Sequence, residues 1–197
     1  MTESKYYRTV YDYAWAQAHG HQIRGNNKRE CKRFLSDLKR TDIELRTKDP
    51  DFVIKVIQGF MVHKQGEALD GTPLMNSPFL LEPFQMFIIY NLVGWYWTGT
   101  KRRRFTEAFI FLPRKNGKTI FAAGLAFGLG LLERRSGSRV LIGAAALKQS
   151  MEAFNDILYT VRFRGLDKED GCKINDNNMG HIIELTFKDD NGVPNGS

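Results

Sequence analysis

Phe105-Thr106-Glu107-Ala108-Phe109-Ile110-Phe111-Leu112 runs directly into Pro113-Arg114-Lys115-Asn116-Gly117-Lys118-Thr119, and then into the apolar stretch Ile120 to Leu132. The first eight residues alternate and then turn solidly apolar, the pattern of a central strand. Ile120–Leu132 is too short and too glycine-rich to span a membrane, and reads as a buried helix. Between strand and helix lies a loop whose composition has a chemical meaning. Phosphate groups need converging backbone N–H groups, a helix N-terminus that favours negative charge, and a mobile cation. Gly117 lets the backbone approach, Lys118 supplies the ammonium, and Thr119 can place a hydroxyl on magnesium. No acid stands in the first turn, where Asp or Glu is normally favoured and would here repel phosphate. Taken alone, Gly-Lys-Thr also fits an ordinary helix start. The strand before it, the helix after it, and Arg114 and Lys115 favour a phosphate loop. One position departs from the general pattern G-x-x-x-x-G-K-[ST]: Leu112 stands where the first glycine belongs.

Working outward, Arg139 to Ala146 reads as a second buried strand, and Leu147, Met151, Phe154 and Leu158 mark an amphipathic helix. Strand-helix-strand-helix order implies a parallel sheet with right-handed crossovers. Gly180 to Lys188 reads as a further strand and 191–197 as a loop. Upstream, Asn26 or Asn27 can cap a helix with Cys31, Phe34, Leu35 and Leu38 on one face. Lys28, Arg29, Lys32, Arg33, Lys39 and Arg40 fill much of the rest; a solvated basic face is the preferred reading and a nucleic-acid-facing one the alternative. Asp49-Pro50-Asp51 starts another helix with the stripe Phe52, Val53, Val56, Ile57 and Phe60. Gly66 to Pro78 is a turn-rich connection. Leu81-Glu82-Pro83 opens a helix with Phe84, Phe87, Ile88, Leu92 and Trp95 on one side. The expected fold is therefore α/β, an incomplete parallel sheet preceded by a helical N-terminal subdomain. Residues 1–100 would form the helical region and residues 101–197 the first part of the sheet domain.

The bulk properties suit a folded chain. Of 197 residues, 42% are hydrophobic and 26% charged, enough for one sizeable core. A net charge of +7 and a pI near 9.4 favour an anionic partner, nucleic acid first. Two cysteines, Cys31 and Cys172, make no disulfide framework and no metal-site spacing, which points to a reduced, cytosolic setting. No signal peptide or membrane segment is evident.

These residues resemble the large subunit of bacteriophage terminases, in the HK97-like branch. Arg-Lys-Asn-Gly-Lys-Thr (114–119) is similar to that family's variant Walker A motif, which dispenses with the first glycine. Cys31 to Leu38, Leu81-Glu82-Pro83-Phe84-Gln85 with Gly94-Trp95, and Ala144-Ala145-Ala146 with Lys148-Gln149-Ser150 resemble further blocks of the family in the same order. The resemblance implies a P-loop NTPase fold of the RecA/ASCE type. It also implies ATP and Mg²⁺ as cofactors and an ATPase that drives double-stranded DNA into a procapsid. Pro113 to Thr119 would bind the nucleotide, with Lys118 on the β- and γ-phosphates and Thr119 helping to hold magnesium. Arg114 would stabilise charge on the γ-phosphate, which makes Lys118 and Arg114 the catalytic candidates. Gln85 would read the adenine edge, a surface helix amide being its other reading. Gln149 would face DNA or respond to nucleotide. The implied partners are double-stranded DNA, the terminase small subunit and the portal and procapsid, with assembly into a homo-oligomeric ring in the host cytoplasm of the bacterial cell.

A Walker B element, an apolar strand ending in Asp-Glu, is not evident after Thr119. Glu184 sits inside its strand, and Asp189-Asp190 follows too polar a segment; both read better as hairpin residues. Asp167 to Gly171 is one residue out of register for an EF-hand. Nuclease carboxylates are likewise not evident. The chain is thus expected to be an N-terminal portion that hydrolyses ATP poorly by itself. Two alternatives stay open on the sequence: a helicase-type P-loop DNA motor, and a non-catalytic DNA- or partner-binding module with a vestigial loop.

Overall fold

The computed structural model describes residues 4–20, 25–68, 70–113, 116–133, 139–168, 172–177, 182–188 and 194–196. They form two compact units, one of residues 1–55 and 81–111, the other of residues 56–80 and 112–197.

The first unit is mainly helical. α1 spans Lys5–His19 and α2 spans Asn26–Asp37; α1 packs on α2 and on α4, Pro83–Gly94. Ser4 caps α1 by accepting from the Tyr7 N–H. The N-cap of α2 is Gly25, at φ 82°, with no side-chain cap, so the expected Asn26 or Asn27 cap is corrected. Asn27 instead donates to Gln17 of α1 at 2.9 Å. β1 (Ile43–Leu45) and β2 (Trp95–Trp97) pair antiparallel, with Ile43 opposite Trp97 and Leu45 opposite Trp95. Phe34 packs edge-on against both Phe87 and Trp95, at centroid distances of 5.4 and 5.7 Å. These rings, with Val10, Ala14, Cys31, Ile89, Tyr90 and Val93, make the core. The N-terminal turn of α3 (Lys48–Phe60) is held by two phenols: Tyr90 donates to Asp51 at 2.5 Å and Tyr96 to Asp49 at 2.6 Å.

Two of the expected apolar stripes are redrawn. On α3, Val53, Val56 and Ile57 are buried as expected and Ile54 joins them, but Phe52 and Phe60 are exposed. On α4 the buried set is Gln85, Met86, Phe87, Ile89, Tyr90, Val93 and Gly94, not the row through Phe84, Ile88 and Leu92. The physical reason is that α4 is apolar nearly all round, so its sequence carries no periodic signal to choose a face.

In the second unit α5 (Lys118–Leu132) packs against α6 (Leu147–Phe163). Phe121, Ala123 and Phe127 of α5 and Ile157, Leu158 and Val161 of α6 are buried, together with Ile57, Met61 and Val62. Gly124 permits the approach: a Cβ there would lie 3.2 Å from Ile57 Cγ2. The buried Thr160 hydroxyl accepts from the Val62 N–H at 3.4 Å. The Arg164 guanidinium donates to the carbonyls of Gly59 and Phe60, closing the C-terminal end of α3. Residues 61–79 form the turn-rich connection, with bridges Val62 to Pro78 and Glu67 to Pro73.

β3 (Cys172–Asn177), β4 (Ile182–Lys188) and β5 (Pro194–Gly196) form an antiparallel sheet in chain order. Of the strand expected at 180–188, residues 182–188 are present as strand and belong to a hairpin, with Glu184 opposite Asn175, while 180 and 181 lie outside the described residues. Residues 194–196, expected as loop, pair with β4 instead.

The largest departure concerns the two expected central strands. Residues 105–113 and 139–144 carry neither helix nor strand, and both sheets among the described residues are antiparallel. Phe109, Phe111 and Leu141 are 92%, 82% and 88% exposed. A central strand buries its side chains only between neighbouring strands and covering helices. The apolar pattern records such a setting, and the described residues supply no strand neighbour for it.

Candidate functional site

The helix start at Gly117 is built as the sequence requires. Gly117 takes the left-handed conformation, φ 63° and ψ 26°, which a residue with a Cβ adopts only under strain. Its carbonyl accepts the first α-helical bond of α5, from the Phe121 N–H at 2.9 Å. Gly117 brings no side-chain cap to this N-terminus and no acid stands in the first turn. The positive end of the α5 dipole and its leading N–H groups lie at this turn. Lys118 and Thr119, the first two helical residues, are exposed. The Asn116 side chain donates to the Pro113 carbonyl at 3.4 Å, a local bond within the loop. Arg114 and Lys115 lie outside the described residues.

Gln85 belongs to the first unit. It is 3% exposed, and its Oε1 accepts from the Glu82 N–H at 2.9 Å as the third helical residue of α4. The reading of Gln85 as a surface amide is therefore corrected. Glu82-Pro83-Phe84-Gln85 is a capping box, and that four-residue spacing was the signal available in the sequence. Gln149 lies in the first turn of α6 and is exposed.

The basic runs divide into two kinds. Arg33, Arg40 and Arg104 all reach Asp37, which is 4% exposed. Arg46 pairs with Glu44 and lies over the Tyr96 ring at 4.4 Å. Arg29, Lys32, Lys39, Lys101 and Arg102 are exposed. Sequence reasoning missed Asp37 as the acid that gathers three of these arginines. No helix of the described residues is long and apolar enough to cross a membrane.

The chain is thus a mixed helix and strand protein in which a glycine-led helix start is followed by an exposed Lys-Thr pair. The family model for the terminase large subunit, ATPase domain, matches residues 83–187. That is more than half of the chain, and the chain belongs to this family. Neither a curated protein nor a solved structure gives a significant match. The match takes in the loop, α5, α6 and the β3–β4 hairpin, and begins at the first residue of α4.

Proposed function

We propose that residues 113–119 bind the phosphates of ATP with Mg²⁺, and that the chain is the ATPase portion of a terminase large subunit of the HK97-like branch, powering movement of double-stranded DNA into a procapsid. The observation that carries this reading is the start of α5. Gly117 is left-handed, the helix end is uncapped and free of acid, and Lys118 and Thr119 are exposed beside it, all inside the family match.

The residues present suit a nucleotide with its cation. Lys118 contacts the β- and γ-phosphates, Thr119 gives its hydroxyl to Mg²⁺, and the N–H groups that open α5 take the remaining phosphate oxygens. Arg114 stabilises charge on the γ-phosphate. Bound Mg²⁺ supplies charge neutralisation of the phosphates. Recognition of adenine by Gln85 relies on its amide nitrogen, since its oxygen is engaged by the Glu82 N–H. The family match supports a P-loop fold for residues 101–197, with residues 1–100 leading into it.

The proposed partners are DNA, the small subunit, the portal and procapsid, and further copies in a ring within the bacterial cytoplasm. DNA contact falls to exposed cations such as Arg29, Lys32, Lys101 and Arg102, which are not engaged by Asp37. It is expected to be insensitive to base sequence and to weaken steeply with salt.

The test is nucleotide competition. A fluorescent ATP analogue should bind only with Mg²⁺ present, and ATP should displace it far better than AMP, because the contacts are to β- and γ-phosphates. Equal displacement by AMP, or binding indifferent to Mg²⁺, overturns the assignment.

A further inference from the structure

Within the first unit the chain doubles back after β2 in a basic hairpin whose backbone is held on every side. The Trp97 N–H donates to the Arg102 carbonyl at 3.1 Å, and the Arg104 N–H to the Trp95 carbonyl at 2.9 Å, with Tyr96 opposite Arg103. Gly99, at φ 73°, makes the turn. Thr98 donates through its N–H to the Asp42 carbonyl and through its hydroxyl to that of Thr41. The Thr100 hydroxyl donates to the Trp97 carbonyl, and Arg46 donates to the Thr100 carbonyl at 2.6 Å.

The four basic residues of this hairpin part company. Arg104 turns in to Asp37, and Arg103 donates to the Tyr96 hydroxyl. Lys101 and Arg102 are exposed, and among the described residues no acid pairs with either. The acids of the segment alongside, Asp42 and Glu44, are taken up by Arg40 and Arg46. Because Tyr96 faces Arg103, Trp97 stands opposite Arg102, which puts those two side chains on one face. Trp97 is 38% exposed, and its neighbour on the other side is the buried Ile43. An exposed indole therefore lies beside uncompensated cations on a backbone that is already ordered. A duplex stacks its base faces away and offers this hairpin phosphates alone, whereas an unpaired strand offers phosphates and open π-faces together. We infer that Trp97, Lys101 and Arg102 form a binding site for an unpaired DNA strand, the indole stacking on a base while the two cations hold the flanking phosphates. This rests on the reading of DNA contact and extends it from duplex to unpaired strand. Stacking of this kind tolerates any sequence, since every base has a π-face.

The experiment titrates the 197-residue chain with labelled oligo(dT) and with a blunt duplex of equal length, reading anisotropy and tryptophan emission. Trp97→Ala should bind oligo(dT) about tenfold more weakly and the duplex almost as the parent does. Replacing Lys101 and Arg102 together by alanine should weaken both complexes and flatten their salt dependence. Oligo(dT) should quench the emission of the parent and of Trp15→Phe, whose exposed indole lies on α1, but not that of Trp97→Phe. Folded Trp97→Ala with parent affinity for oligo(dT) overturns the inference, as do equal losses on oligo(dT) and duplex, or quenching that survives in Trp97→Phe. If Trp97→Ala does not fold, the quenching decides, since Trp97→Phe keeps an aromatic ring in place. Self-association of the parent that is lost in Trp97→Ala, with oligo(dT) affinity unchanged, assigns the face to a second copy and overturns it too. Duplex binding without oligo(dT) binding overturns this site alone; binding of neither overturns the reading of DNA contact and the site with it.

Discussion

Arg104 Nη1 lies 2.6 Å from Asp37 Oδ2, joining the last residue of α2 to the basic run that precedes the loop segment. The partners are 67 residues apart in sequence, and both are largely withdrawn from water. Replacing such a carboxylate leaves its cations uncompensated. Asp37→Asn should lose about 3 kcal/mol of unfolding free energy in urea at pH 7, while Arg8→Ala, which breaks an exposed pair with Asp12, should lose less than about 1 kcal/mol. Equal losses would show that the Asp37 cluster adds no more than a surface pair.

Two glycines should respond to alanine with opposite signs. A Cβ on Gly94 would stand 2.8 Å from Leu45 Cδ1 and 3.4 Å from Pro50 Cγ, so Gly94→Ala should destabilise by about 1–3 kcal/mol through overpacking. Gly59, within α3, has open space where its Cβ would be. Gly59→Ala should raise stability by about 0.5–1 kcal/mol. Thermal melts of the two variants decide it.

Cys31 should be chemically quiet. Burial first, and the neighbouring Glu30 second, push its thiol up to about 11. At pH 8 only about a thousandth would be thiolate, and access is closed as well. In a Cys172→Ser background, iodoacetamide should label Cys31 only under denaturing conditions. Rapid labelling of the native protein would contradict the packing of α2.

Tyr90 carries a pH dependence. Burial, and then its hydrogen bond to Asp51, hold the phenol well above its ordinary range. A group raised on folding contributes stability that is complete below its unfolded pKa, near 10, and is lost as pH rises toward the folded value. Unfolding free energy should therefore fall between pH 7 and pH 10.5, and fall less in Tyr90→Phe. That variant should also lose about 1 kcal/mol at pH 7 with the hydrogen bond. An identical slope in the two proteins would contradict the assignment.

Much of this was written in local sequence. The spacing of Cys31, Phe34 and Leu38 located α2, Asp49-Pro50-Asp51 located the start of α3, and Gly117-Lys118-Thr119 located that of α5, because each depends on neighbours within a turn or two. The buried face of α4 was not legible, since apolar residues surround that helix. Nor was the Asp37 cluster, because nothing near Asp37 announces Arg104. Phe105 to Leu112 and Arg139 to Ala146 show the converse. Their apolar patterns speak of burial, but a strand forms only against another strand, and the described residues bring none to them. Gln85 stood in plain view as the fourth residue of a capping box, a second role that local spacing announced.

The central claim is that the helix start at Gly117 holds a magnesium nucleotide. Calorimetric titration of Mg²⁺-AMPPNP into the parent chain and into Lys118→Ala tests it most directly, with circular dichroism showing that both are folded. Lys118 is exposed at the first position of α5, so its loss should leave the fold intact. The account predicts saturable binding by the parent and affinity at least about tenfold weaker in Lys118→Ala, the loss of one charge-assisted contact. Equal affinity in the two proteins, or no binding by the folded parent, would contradict it.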